Sequence, residues 1–532
     1  MSKDSPNRVL TTPELVNMLS LHLDRQSLVC LALTSRSNFT TTIGHVWREV
    51  QGVHNLLQLI PGTRCQKAGY SKTWNLVIPT HDKAVFTRFG VYAPHVINLY
   101  ILPTLHSSYQ FSEWATLAKY GESNSLLPNL RKIVFESYRS SDENFIRWVT
   151  PFLSPSVLTV YTHSPQWGSV SPCSFSSAST LVETVAIRSP AVTNLSFFPV
   201  EHLGIYQRNS DDDDDDDDDD YTYSTFHAHE SVKTEESNSA RIEPFQTHLK
   251  HLKHLQFLTS TSFIIDSETL EVLGSLPHLK ELVINCNFFN ENLVYELSPK
   301  FPRDAFPSLD TLELIFPDMD CVSQIWSLDL LVNRLVKLTV KLKSNTDAGE
   351  YDWDDDDDEE FTTTRNFISF MPKLCERSPL IRHLTVDFDA NEGDLIQIIS
   401  IQNLELLAKL PLEVLDLRHA AVEKTSQACQ VLSQCRSLRE LHLQDQRFQF
   451  DDVLQFSRLP SIECFHAEIY WGNISRLQRF INNPPQSPST LRVWQSSNPP
   501  HLEHSYEAAK QVARYETTAI CGIFNLSPSL PV

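Results

Sequence analysis

A short hydrophobic phrase recurs along the chain at intervals of tens of residues. Each copy has an apolar residue, two spacers, a second apolar residue, one spacer and a third apolar residue. Clear copies begin at Leu279, Leu309 and Leu438. A phrase repeated at such a period is typical of chains in which each unit contacts only its neighbours, so it predicts a solenoid. Solenoids commonly present extended binding surfaces, which directs the search for function towards binding.

The spacing of the copies indicates the kind of repeat. Further copies begin at Val96, Leu130, Val157, Val182, Leu252, Leu335, Ile381, Leu412, Ile462 and Leu491. From Leu130 onward, neighbouring copies lie 24 to 31 residues apart, except in two intervals of 70 and 46 residues. This is close to the ~20–29-residue period of leucine-rich repeats. Alternation within a copy predicts a short strand, and apolar residues three or four apart between copies predict helices.

The acidic charge of the chain is concentrated in two runs. The formal net charge is −22, of which Asp211–Asp220 supply ten negative charges and Asp352–Glu360 supply eight. The rest of the chain has a net charge of −4 and lacks the basic footprint of a nucleic-acid-binding protein. Because the runs fall in the two long intervals, they predict disordered acidic insertions at about 207–240 and 345–362. Calcium binding is the alternative, but neither run has the spacing of an EF-hand loop.

The residue types that carry catalysis or metal binding form no recognised motif. Ten cysteines occur without a CxxC pair, so they predict neither a disulfide framework nor a zinc site. The spacing of His248, His251 and His254 would suit a metal, but the last two flank repeat leucines in spacer positions, so we interpret them as structural. Phosphate-binding loops, nucleophile elbows and zinc-protease motifs are absent. The sequence therefore predicts a protein that is not an enzyme, with no catalytic residues, metal or cofactor.

The expected location follows from hydropathy. No apolar run approaches the ~18 residues of a membrane span, and the N-terminus has no apolar signal core. We expect a cytoplasmic or nuclear protein that contacts neither membrane nor nucleic acid.

Residues 1–50 differ in kind from the repeats. Apolar residues from Leu10 to Leu23 fall on one helical stripe, with Pro13 in the first turn. Ser27 is predicted to cap a second helix through Leu28–Leu33, and a third short element ends near Trp47. Three helices in ~45 residues bury little surface by themselves, so the unit is expected to dock against something.

This N-terminal order resembles an F-box. The matching residues are Thr12-Pro13-Glu14-Leu15 at the start, Leu28–Arg36 in the second helix, and Trp47 at the end. Thr12 and Phe39 depart from the leucine and tryptophan common in the family. A helical cap that covers the first repeat is the alternative interpretation. With the repeats, the chain resembles fungal F-box proteins with degenerate leucine-rich repeats.

The resemblance implies a substrate-recognition subunit of a Skp–cullin–F-box ubiquitin ligase. The F-box would bind the Skp adaptor, which connects to the cullin scaffold, and the repeats would bind an unknown protein substrate. A non-catalytic scaffold that acts outside a ubiquitin ligase is the alternative. The resemblance assigns adaptor binding to Pro13, Leu15, Leu19, Leu23, Leu28 and Leu31. Repeat spacers supply the candidates for substrate contact: Val283, Glu313, Thr339, Thr385, Asp416 and His442.

The predicted architecture is an α/β leucine-rich-repeat solenoid preceded by a small three-helix F-box. Parallel strands would line its concave face, with the helices outside. Residues 1–50 would form the F-box-like domain, and residues 51–125 a connecting region with an irregular first repeat. Residues 126–500 would form the solenoid, and residues 501–532 a C-terminal cap or tail.

Overall fold

The computed structural model describes residues 12–470, apart from 68–72, 79–85, 103–107, 163–171, 201–238, 287–296, 318, 343–361 and 389–396 and parts of 113–124, 136–147 and 450–458. Almost all of both acidic insertions, the copy at Leu491 and the C-terminal segment 501–532 therefore lie outside the described residues. Within them the chain is a mixed α/β protein with a large parallel sheet, which confirms the coarse fold class expected from the repeats.

The described helices and strands alternate along most of the chain. The helices are α1 (Pro13–Ser20), α2 (Arg25–Ala32), α3 (Arg36–Trp47), α4 (Val53–Leu57), α5 (Thr87–Tyr92), α6 (Phe175–Arg188), α7 (Ser239–His251), α8 (Ser267–Gly274), α9 (Met319–Ile325), α10 (Asp329–Val332), α11 (Thr362–Arg377), α12 (Ile401–Leu407) and α13 (Thr425–Leu432). The strands are β1 (Glu49–Gln51), β2 (Arg64–Lys67), β3 (Thr73–Val77), β4 (Asn98–Tyr100), β5 (Ser108–Ser112), β6 (Lys132–Val134), β7 (Thr159–Tyr161), β8 (Pro172–Ser174), β9 (Asn194–Ser196), β10 (Phe198–Val200), β11 (Phe257–Thr261), β12 (Glu281–Asn285), β13 (Thr311–Ile315), β14 (Lys337–Lys341), β15 (His383–Asp387), β16 (Gln397–Ile399), β17 (Val414–Arg418), β18 (Ala420–Val422), β19 (Glu440–Gln449) and β20 (Cys464–Tyr470).

The described part of the chain contains a 13-stranded parallel sheet and divides into two compact units. The first unit holds the strands in the order β1-β4-β6-β7-β9-β11, and the second holds them in the order β12-β13-β14-β15-β17-β19-β20. Parallel neighbours need a long connection between them, which the intervening helices and loops supply. Neighbouring helices pack on one another, α6 on α7 and α7 on α8 in the first unit, and α11 on α12 and α12 on α13 in the second.

Each unit is built around a row of buried apolar side chains that runs across its strands. In the second unit the row consists of Leu282, Leu312, Leu338, Leu384, Leu415, Leu441 and Phe465. In the first unit the row consists of Val50, Leu99, Ile133, Val160, Leu195 and Leu258. All of these side chains are at most 1% exposed. Since successive strand residues point to opposite faces, burying this row leaves the spacer residues on the other face.

Strands of the large sheet overlap most of the predicted copies, but the copy at Val182 is wrong. Val182 and Val185 lie inside helix α6, where both are buried. The spacing of three residues between them suits a helix as well as the repeat phrase, and Ser174 caps the helix by accepting a hydrogen bond from the backbone N–H of Ser177 at 3.2 Å. The strand of this repeat is β9, which carries Leu195.

The copy at Leu252 is displaced by three residues. Strand β11 pairs with β9 so that Leu258, not Leu255, is the Cα partner of Leu195. The first apolar residue of this copy is therefore Leu255. Leu252 and Leu255 are both buried, so three equally spaced apolar residues allow either alignment when sequence alone is considered.

Some strands occur where repeats were not predicted. Strand β1 follows α3 directly and pairs in parallel with β4. Strands β2, β3 and β5 form a separate three-stranded sheet within residues 51–125. Two further pairs, β8 with β10 and β16 with β18, are also parallel.

Candidate functional site

The first three helices form a small packed unit. Helices α1 and α2 both pack on α3. The buried apolar side chains of this unit are Val16, Leu28, Ala32, Ile43 and Val46. The ring of Trp47, at the end of α3, lies 4.9 Å from the ring of Tyr92, so an aromatic contact joins α3 to the segment before β4.

Asp24 fixes the turn between α1 and α2. The backbone N–H of Ser27 donates to Asp24 Oδ1 at 2.8 Å, so Asp24 is the N-cap of α2, and the predicted cap Ser27 lies inside the helix. This hydrogen bond stabilises the carboxylate and lowers the pKa of Asp24 below its ordinary value.

Apolar side chains are exposed over α1, α2 and the residues that follow them. Seven of the twelve exposed large hydrophobic side chains of the described residues fall in this stretch of nineteen residues, with exposures between 36% and 78%. We call them the N-terminal apolar surface: Leu15, Met18, Leu19, Leu21, Leu23, Val29 and Leu33. On α1 the residues Leu15 and Leu19 are four apart and share one side of the helix, while Val16 and Ser20 occupy the buried side. Among the described residues, the stripe formed by Leu15 and Leu19 therefore faces solvent rather than the buried side of α1.

The residues predicted to bind an adaptor do not all lie on this surface. Leu15, Leu19 and Leu23 belong to it, and Pro13 is exposed beside them. Leu31 is half-buried. Leu28 is 6% exposed and lies inside the helical unit, so its place is in the packing of α2 rather than on the surface. Met18, Leu21, Val29 and Leu33 were missed because the sequence pattern does not distinguish the two sides of such short helices.

The residues predicted to contact a substrate form one row on the second unit. They are consecutive Cα partners on the strands from β12 to β19, and His466 on β20 extends them. We call this the polar row: Val283, Glu313, Thr339, Thr385, Asp416, His442 and His466. The row lies on the face opposite the buried leucines, and neighbouring strands bring its members about 4.8 Å apart at the backbone.

Charged residues two positions further along the strands pair with the polar row. Lys341 Nζ lies 2.7 Å from Glu313 Oε1. Arg418 donates to Asp416 Oδ2 through Nε at 3.1 Å and Nη2 at 2.9 Å. Arg418 and Lys341 were missed as candidates, although the two-residue period of a strand places them on the same face.

A histidine that directly follows β17, His419, lies near these charged residues. His419 Nδ1 lies 2.9 Å from Asp387 Oδ1, and the His419 backbone has a φ of 54°, in the left-handed region that non-glycine residues seldom adopt. Strained backbone of this kind is over-represented at ligand sites.

The far end of the polar row carries two stacked imidazoles. The rings of His442 and His466 have centroids 4.1 Å apart and planes inclined by 5°. His466 Nε2 lies 2.9 Å from Cys464 Sγ. His442 Nε2 and Asp416 Oδ1 are buried and have no hydrogen-bond partner in the described part of the chain.

Other predicted features have a definite location. His248 and His251 lie on α7 rather than in strand or loop positions, and His254 stacks on His278 with ring centroids 6.4 Å apart. Within the described ranges, no group of three or more histidine, cysteine, aspartate or glutamate residues is arranged to hold a metal ion. Over the same ranges, no helix is long and apolar enough to cross a bilayer.

The comparisons with known proteins do not assign this chain to a family. No protein-family model matches the chain, and no curated protein matches it. Solved structures give 59 similar chains, among them a chain of the Toll–Spatzle complex from Drosophila. That chain is 10% identical, the match covers 82% of this chain and 55% of that chain, and the TM-score is 0.23. This protein therefore spans about half the length of the solved chain it matches.

Proposed function

We propose that this chain is the substrate-recognition subunit of a Skp–cullin–F-box ubiquitin ligase. The N-terminal apolar surface would dock on the Skp adaptor, which connects to the cullin scaffold, and the strands and helices that follow would form a leucine-rich-repeat solenoid that holds a protein substrate. A cytoplasmic or nuclear location belongs to the same proposal.

The exposure of the N-terminal apolar surface is the observation that carries this proposal. Contiguous exposed apolar patches on soluble domains usually mark interaction sites. Burying apolar area contributes roughly 25 cal/mol per Å², so enclosing several leucines and a methionine supplies the free energy of a stable contact. A helical cap on the repeats would turn the Leu15–Leu19 stripe inward, yet both side chains are about 40% exposed. The surface therefore favours an external partner over a cap.

The polar row supports the second half of the proposal. Its side chains are chemically mixed, half-buried for the most part, and arranged on a surface of hydrogen-bonded strands. Such a surface suits the recognition of another protein. In the proposed complex the chain performs no chemistry, and it accelerates ubiquitin transfer by holding the substrate near a separate conjugating enzyme.

The test is binding of the purified chain to a purified Skp adaptor, measured by calorimetry. Leu15→Asp with Leu19→Asp should reduce the affinity by more than about 100-fold, because two apolar contacts of about 1.5–3 kcal/mol each are lost and charges are introduced into the interface. The matched control is Ile187→Asp with Ile398→Asp, which places the same charges at exposed apolar positions elsewhere. Circular dichroism should show that both double variants stay folded.

The proposal fails if the wild-type chain does not bind the adaptor, or if the Leu15 and Leu19 variant binds as the wild type does. Adaptor binding without cullin in a purified complex, together with partners that are not degraded, would favour the alternative of a scaffold outside a ubiquitin ligase.

A further inference from the structure

Within the described residues, two buried polar atoms without a hydrogen-bond partner lie on neighbouring strands of the second unit. Asp416 Oδ1 belongs to β17 and His442 Nε2 to β19, and the two residues are Cα partners. Buried polar groups are nearly always paired in folded proteins, so each exception calls for an explanation. A ligand that donates hydrogen bonds to both atoms would remove the cost of leaving them unpaired.

The surrounding charges select the kind of ligand. Asp416 is 5% exposed, and its other oxygen, Oδ2, already accepts from Arg418. Glu440 Oε2 lies 3.6 Å from His442 Nε2, and Asp387 lies on the other side of β17. The described charged side chains near these two atoms are thus three carboxylates, Asp416, Glu440 and Asp387, with the Arg418 guanidinium beside Asp416 and the His419 imidazole beside Asp387, so negative charge is in excess. An acidic side chain would be repelled there, and a hydroxyl has a single hydrogen to offer.

We propose that Asp416, His442 and Glu440 form a subsite for a basic side chain, lysine or arginine, of the bound partner protein. This inference rests on the proposed function of the polar row as a protein-binding surface. An ammonium or guanidinium group carries several N–H donors, enough to serve Asp416 Oδ1 and, in the tautomer that has its proton on Nδ1, His442 Nε2 together. Hydrogen bonds between charged groups are the strong ones, so a single residue of the partner would contribute much of the selectivity.

Arg418 is already bonded to the carboxylate of the subsite. Its side chain is 43% exposed and donates two hydrogen bonds to Asp416 Oδ2, so a basic group of the partner would share this carboxylate with Arg418 and bind its other oxygen. On the other side of the subsite, the His466 ring stacks on the His442 ring.

The experiment uses fluorescein-labelled dodecapeptide libraries that are randomised except for one fixed central residue. Binding to the full chain is measured by fluorescence anisotropy, with arginine compared to its neutral isostere citrulline and lysine compared to acetyllysine. The wild-type chain should bind the arginine or the lysine library about tenfold more tightly than its neutral counterpart, as expected for a hydrogen bond to a buried charged group.

Two variants test whether Asp416 and His442 cause the preference for the charged libraries. Asp416→Asn, nearly isosteric, should abolish it, and His442→Phe, which keeps a ring to stack on His466, should reduce it. Glu463→Gln removes the same charge at an exposed position beside β20 and should leave the preference intact. Thermal denaturation of each variant checks that the fold is kept.

Equal binding of charged and neutral libraries by the wild-type chain would overturn the proposal, and this outcome needs no variant. Full retention of the preference in a folded Asp416→Asn variant would overturn it as well. Adaptor binding depends on the N-terminal apolar surface and is measured separately, so failure of either experiment is distinguishable from failure of the other.

Discussion

The spacer positions of the strands give neighbouring carboxylates different surroundings. Glu313 on β13 pairs with Lys341 at 2.7 Å. Glu281 on β12 has Lys337 nearby, but burial outweighs this attraction and raises the pKa of Glu281 above its ordinary value of 4.5, with a further contribution from the charge of Glu313. The ionised form of Glu281 is therefore disfavoured in the folded protein.

Replacing Glu281 by glutamine should raise the melting temperature at pH 7. The native state holds this proton more tightly than the unfolded state, so the carboxyl contributes most to stability at low pH, and that contribution is lost as the pH rises above about 4.5. The difference between variant and wild type should shrink towards pH 4. Thermal denaturation between pH 4 and pH 7 measures it.

Glu413→Gln is the matched control for this prediction. It removes a carboxylate that already has a cationic partner, Arg382 at 3.1 Å, and a partly exposed ion pair of this kind is worth roughly 0–1 kcal/mol, so the variant should be neutral or slightly less stable. A pH-independent gain in both variants would contradict the assignment to Glu281.

The spacing of apolar residues was sufficient to predict some helices and ambiguous between helix and strand for one segment. Helices α8 and α13, which contain Leu270 and Val431, lie between copies of the phrase as predicted, because apolar residues three to four apart bury one side of a helix. The Val182 segment was misassigned because the same spacing also fits the repeat phrase. The segment is helical because it belongs to an uninterrupted helix of fourteen residues that Ser174 caps. Both features depend on residues outside the repeat phrase.

The cap of helix α2 can be tested by substitution: Asp24→Ala should weaken adaptor binding, whereas Asp24→Asn should preserve it. Alanine removes the N-cap acceptor of α2, whereas asparagine replaces it with an amide oxygen of similar capping strength. Calorimetry with the adaptor and circular dichroism of the variants provide the measurement. Equal affinities for the alanine and asparagine variants would show that the cap is not needed to present the apolar surface.

Acid should weaken the cap of α2 in the wild-type chain, as Asp24→Ala does. The pKa of Asp24 is lowered in the folded state, so its contribution to stability is present above the ordinary value of 3.8 and is lost as the pH falls below it.

Within each unit, every strand of the large sheet pairs only with the strands next to it in the strand order given above. Leu415, for example, is fully buried between Leu384 on β15 and Leu441 on β19. In the proposed solenoid, stability would be approximately a sum of local contributions and contacts between adjacent repeats.

Leu415→Ala should lower the free energy of unfolding of the second unit by about 2–5 kcal/mol, as large-to-small substitutions in packed cores do. Hydrogen exchange measured by mass spectrometry should increase first in β15, β17 and β19. Ile398→Ala, at an exposed position, should change little. An equal increase in every strand of the second unit would contradict the neighbour-by-neighbour description.

Sequence pattern was sufficient to locate most strands of the parallel sheet and six of the seven members of the polar row, all but His466. Both follow from alternation and period, which are local properties of the chain. The tertiary structure alone decided that Leu15 and Leu19 are exposed while Leu28 is buried, and that β9 rather than the Val182 segment continues the sheet. Within the described residues, it also leaves Asp416 Oδ1 and His442 Nε2 buried without a hydrogen-bond partner. These outcomes depend on neighbours distant in the chain, because burial and hydrogen bonding are set by whatever packs against a residue rather than by its own spacing.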